Sequence, residues 1–92
     1  MNLNGQAIAV CGAGRSGLAA ARLACAQGAH VTLLDSGDPE KLTSVRERLP
    51  ETQLIFGPEA LTWRGDVSQI VVSPGIDLKS PLVAPWIEAG VP

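Results

Sequence analysis

A doubly wound, parallel α/β sheet is the fold class this sequence predicts, and three observations carry the expectation. Short apolar runs alternate with helical patterns along the chain. A glycine-rich turn, Gly12-x-Gly14-x-x-Gly17, follows the first apolar run and opens a helix. An acid, Asp35, closes the second run. Strands separated by helices run parallel, because each helix carries the chain back across the sheet. Right-handed crossovers favour the strand order 3-2-1-4, with a fifth strand truncated where the chain stops at Val91-Pro92.

The elements follow in order. Ala7-Ile8-Ala9-Val10-Cys11 is continuously apolar, the pattern of a strand buried on both faces. The Ala-rich segment Leu18 to Gln27 is an amphipathic helix with small side chains, suited to lying close on a sheet. Leu18, Ala21 and Cys25 share its apolar face, widened by Ala20, Leu23 and Ala24, and Gly28 stops it. His30 to Leu34 is a second strand ending at Asp35. Asp38-Pro39 has the chemistry of an N-cap with proline in the first turn. Leu42, Val45 and Leu49 then form one helical stripe, which Pro50 ends. Gln53 to Phe56 is a third strand, Pro58 to Leu61 a single helical turn, and Gln69 to Val72 a fourth strand. Leu82 to Ala89 is predicted helical, with Pro85 near its start and Gly90 closing it.

Composition narrows the function. The 92 residues allow one small domain spanning 1–92 and no second. A formal charge of −2 argues against nucleic acid held by bulk electrostatics. No apolar run approaches the roughly 18 to 20 residues that span a bilayer. Met1 to Gly5 lacks a cationic region leading into an apolar stretch, so the expectation is a cytoplasmic protein without a membrane partner. Cys11 and Cys25 sit in apolar surroundings, outside any C-x-x-C pair or His/Cys cluster, and are expected to be reduced thiols. No nucleophile–base pairing is visible, so no residue is expected to be catalytic and no metal site is expected.

The glycine turn is the strongest chemical signal. Gly12 lets the chain reverse off the strand, Gly14 removes a side chain where phosphate oxygens would approach, and Gly17 lets the helix pack closely. The N–H groups of the first helical turn, at the positive end of the dipole, favour an anion. Ser16 adds a hydroxyl and Arg15 a positive charge. This is a Rossmann-like arrangement. Asp35 stands 18 residues beyond Gly17, at the same carboxyl edge of such a sheet. Its carboxylate either accepts from ribose hydroxyls or a base N–H, or makes an Asx-type bond to Ser36 or Gly37. Ser73-Pro74-Gly75 ends the fourth strand and would face the glycine loop across the switch-point crevice. No G-x-x-x-x-G-K-[ST] occurs, so an ATP triphosphate has no P-loop here. An NAD(P)-binding half or a nucleotide-sensing module is the alternative that these residues leave open.

With these motifs in place, the chain resembles the N-terminal domain of the Mur ligase family. The resemblance covers the whole length and rests on Ala7 to Leu18, Leu34-Asp35-Ser36, Val71 to Ile76, Ser80-Pro81-Leu82 and Ile87 to Pro92. It is closest to the members that join D-glutamate to UDP-N-acetylmuramoyl-L-alanine in peptidoglycan synthesis. The resemblance implies a domain that holds the UDP moiety. Gly14, Arg15, Ser16 and Gly17 would meet the diphosphate, Asp35, Ser36 and Gly37 the uracil, and Ser73, Pro74 and Gly75 would lie near the phosphates. The family often carries Arg where this chain has Gly37. The full-length enzyme would use ATP and magnesium to make an acyl phosphate that the D-glutamate amine attacks. The domains that do so are outside this chain, so it is expected to need no cofactor and to be inactive alone.

Overall fold

Five small or β-branched apolar residues form β1 (Ala7–Cys11), the strand on which the rest of the sheet is built. The structure, a computed structural model, describes residues 5–37, 40, 42–49, 52–74 and 76–91. The elements run β1, α1 (Arg15–Ala26), β2 (His30–Asp35), α2 (Leu42–Arg48), β3 (Gln53–Phe56), a short 3-10 helix (Gly57–Leu61), β4 (Gln69–Val72) and α3 (Ala84–Glu88). All four strands are parallel and lie in the order β3-β2-β1-β4, as the alternation of elements predicts.

Register follows from the pleat. Ile8 and Val10 pair with Val31 and Leu33 and point to one face, where Ala21 and Ala24 of α1 and Val45 of α2 cover them. Ala9 and Cys11 point to the other, against Ala60, Leu82, Val83 and Trp86. The central strands β1 and β2 are therefore buried on both sides, which is why their residues read as continuous apolar runs, while β4 at the edge is only partly covered.

Several boundaries differ from the sequence expectation. Helix α1 starts three residues early, at Arg15, because Gly14 serves as its N-cap and the glycine turn feeds straight into the helix. Leu23 was expected on the apolar face but is 61% exposed, because the helix rests on the sheet through Gly17, Ala21 and Ala24. The last helix is shorter than predicted: Leu82 and Val83 lie in turns ahead of α3, and both are buried. Gly28 and Gly90 close their helices with φ of 85° and 80°, the left-handed region glycine enters without strain. Asp38, Pro39 and Pro50, the expected cap and stop of α2, lie outside the described residues.

Trp86 is 3% exposed and packs against half-buried Trp63, ring centroids 5.9 Å apart. The Arg64 guanidinium lies 5.2 Å from the centre of the Trp86 ring and donates to the carbonyls of Trp63 (2.6 Å) and Leu61 (2.9 Å). This cation–π contact and the two carbonyl bonds fix the segment after the 3-10 helix over the second core.

Candidate nucleotide site

The site forms where the carboxyl ends of β1, β2 and β4 meet. Gly12 leaves β1 with φ of 103°, a conformation that costs a non-glycine residue about 1–3 kcal/mol. Its N–H donates to Leu34 O at 2.7 Å, so the turn is anchored to β2 as it departs. Gly14 is extended (φ −70°, ψ −177°), and its carbonyl accepts the first helical bond, from Leu18 N at 2.9 Å. No side chain caps the helix and no acid lies in its first turn. The N–H groups at its start thus point outward without a partner from the helix, at the positive end of a 12-residue dipole. Arg15 adds a cation where the dipole alone would disfavour one.

Nothing lies within 4 Å of where a Cβ on Gly14 would stand. The position is open space. Gly17 has a different role: a Cβ there would collide with the Gly12 carbonyl and come within 2.7 Å of Ser73 Oγ. Its bareness lets α1 press on the glycine loop itself, a closer constraint than packing on the sheet.

Asp35 does two things that the sequence left as alternatives or did not show. Oδ1 accepts from Gly37 N at 2.7 Å, the Asx-type turn bond. Oδ2 accepts from Ala13 N at 2.8 Å, crossing 22 residues to brace the glycine loop. Each oxygen keeps a second acceptor direction. Ser73 is buried; its N–H donates to Cys11 O at 3.1 Å and its hydroxyl to Gly12 O at 3.3 Å. It stitches the end of β4 to the glycine turn. Ser36, Gly37 and Pro74 are exposed at the same edge, and Gly75 lies outside the described residues.

Between these turns lies a crevice of about 280 Å³, with Gly12, Asp35 and Ser36 on one side. Leu61, Ile76 and Leu82 supply an apolar wall opposite. Sequence reasoning missed this wall. Ile76 and Leu82 fell in segments that carry the family resemblance but were given no place in the site, and Leu61 arrives from the 3-10 helix, far from both in the chain. Beneath the site, burial pushes the Cys11 thiol up to about 11, offset in part by the nearby Arg64 guanidinium. Among the described residues, no group of three or more His, Cys, Asp or Glu could hold a metal ion, and no helix is long and apolar enough to cross a membrane.

Comparison with known proteins places this architecture. Residues 6–92 match the family model of the Mur ligase MurD-like N-terminal domain. The chain belongs to this family. Similar proteins include the UDP-N-acetylmuramoylalanine–D-glutamate ligases of Desulfitobacterium hafniense (38% identical over 91 residues, 98% of this chain and 20% of that protein) and Thiobacillus denitrificans (34% over 92 residues, 99% and 19%). That of Syntrophotalea carbinolica is 42% identical over 92 residues, 97% of this chain and 20% of the relative. The chain thus spans about a fifth of the length of these relatives. As a MurD-like N-terminal domain, it carries its glycine turn, Asp35 and the β4 turn at one sheet edge.

Proposed function

We propose that this chain holds the UDP moiety of UDP-N-acetylmuramoyl-L-alanine within a ligase that adds D-glutamate in peptidoglycan synthesis. The observation that carries it is the uncapped, acid-free first turn of α1, open at Gly14, which follows closely on Gly12 at a crevice that Asp35 also borders. The diphosphate lies on the N–H groups of Arg15, Ser16 and Gly17, with the Arg15 guanidinium beside it. The nucleoside enters the crevice, where the spare acceptor directions of Asp35, the Ser36 hydroxyl and the backbone at Gly37 select it. Leu61, Ile76 and Leu82 supply apolar contact. Ser73 holds the two turns together, and Pro74 and Gly75 border the phosphates. The family membership and the names of the relatives support the choice of ligand.

ATP and magnesium belong to the rest of the longer protein. The 92 residues contain no G-x-x-x-x-G-K-[ST], and among the described residues no group of three or more His, Cys, Asp or Glu could hold a metal ion. On this reading acyl-phosphate formation and attack by the D-glutamate amine fall to the rest of a longer protein, and this chain on its own binds without catalysing. The protein works in the cytoplasm, where its nucleotide substrate is made.

Titration of the chain with UDP, UDP-N-acetylmuramoyl-L-alanine and NADH, followed by backbone amide shifts, tests the assignment. Gly14 to Gly17 and Asp35 to Gly37 are expected to move with both uridine nucleotides. Movement with NADH alone would replace this function with dinucleotide binding.

A further inference from the structure

We propose that the concavity between α1 and α2 is an oligophosphate site, separate from the nucleotide crevice and sharing only Arg15 with the diphosphate position proposed above. Arg15, Arg22 and Arg48 line this space of about 400 Å³, and Leu18 and Ala19 form its floor. All three arginines are exposed. Among the described residues, no hydrogen bond or ion pair engages any of their guanidiniums. Three uncompensated cations therefore share one hollow on a chain whose formal charge is −2. Clustered like charges repel, and a multivalent anion relieves all three at once.

The spacing selects the anion. Arg15 and Arg22 are seven residues apart on α1, which puts them on one face about 10 Å apart along the axis. Arg48 joins them from the last turn of α2. A chain of phosphates presents oxygens along its length, which suits three arginines, two of whose backbone positions on α1 lie about 10 Å apart. Guanidinium forks match phosphate oxygens in bidentate fashion, and all three cations lining the hollow are arginine. Because Arg15 also borders the first turn of α1, an oligophosphate seated here crowds the diphosphate of a nucleotide. The two ligands compete, so the groove senses free oligophosphate and lowers nucleotide occupancy.

The test uses inorganic tripolyphosphate as the probe, with the Nε–Hε signals of Arg22 and Arg48 as reporters. Tripolyphosphate is expected to shift both signals and to weaken UDP binding competitively. An Arg22→Gln/Arg48→Gln double variant, altered only at exposed side chains, is expected to bind tripolyphosphate at least about tenfold more weakly while binding UDP as before. Shifts confined to Gly14–Gly17, with both arginine signals still, would overturn the proposal. So would a hexaglutamate peptide that moves Arg22 and Arg48 at lower concentration than tripolyphosphate. Arginine shifts with tripolyphosphate in a chain that fails to bind UDP would uphold this site and remove the nucleotide assignment instead.

Discussion

Asp35 braces two loops with one carboxylate, so its removal acts on stability and binding together. Asp35→Ala leaves Ala13 N and Gly37 N without their acceptor and is expected to cost about 1–3 kcal/mol, read by urea unfolding. UDP affinity should fall with it, since the glycine loop loses its brace. Gly14→Val separates the two effects. Open space receives the new side chain and the backbone there is extended, so the unfolding midpoint should stay near that of the parent. The amide response to UDP should vanish, because the valine stands in the phosphate path; an unchanged titration would remove Gly14 from the site. Cys11 gives a pH dependence. Its folded pKa, about 11, lies above that of an unfolded thiol. The unfolded chain therefore loses the proton first as pH rises. The thiol's contribution is fully present below the unfolded pKa and is lost as pH climbs toward 11. The alkaline decline in stability is expected to be shallower in Cys11→Ala, measured by urea unfolding at pH 8 and 10.

At the scale of elements, α1 and β4 behave differently from a generic helix and strand. A methyl at Gly17 meets the backbone carbonyl of Gly12, which the turn geometry holds in place. Gly17→Ala is expected to destabilise by about 1–3 kcal/mol and to broaden the Gly12–Ser16 amides, even though alanine is the better helix former. Strand β4 pairs only with β1 among the described residues. Beside it, Leu23 is 61% exposed and Val71 37% exposed, in a hollow shared with Ile8 and Ala20. An unpaired apolar edge promotes strand-to-strand association. The 92-residue chain is expected to self-associate with rising concentration in sedimentation velocity, and Val71→Lys to reduce this by charging the edge. A strict monomer at high concentration would show that the edge is already blunted.

For the whole molecule, two apolar clusters on opposite faces of one sheet hold the site at their shared edge. The starts of α1 and α3 were not legible in the amino-acid sequence, whereas the strand spans and the parallel order were. Those features depend on local periodicity, on glycine and proline, and on the handedness of crossovers, all of which neighbouring residues express. The glycine turn and Asp35 were legible for the same reason: their spacing is a property of one β-α-β unit. Other features depended on contacts that no local pattern encodes. Leu23 faces water because the helix rests on the sheet through Gly17, Ala21 and Ala24, which leaves Leu23 beside the edge strand β4, where no further element covers it among the described residues. The division of Asp35 between Ala13 and Gly37, the apolar wall of Leu61, Ile76 and Leu82, and the gathering of Arg15, Arg22 and Arg48 arise only when distant segments converge. The sequence by itself determined which elements form and where the glycine turn opens an uncapped helix, because backbone geometry and helix dipoles are short-range. Tertiary structure alone decided what lines the crevice beside that turn, because side chains from remote segments meet only once the sheet has brought them to one edge.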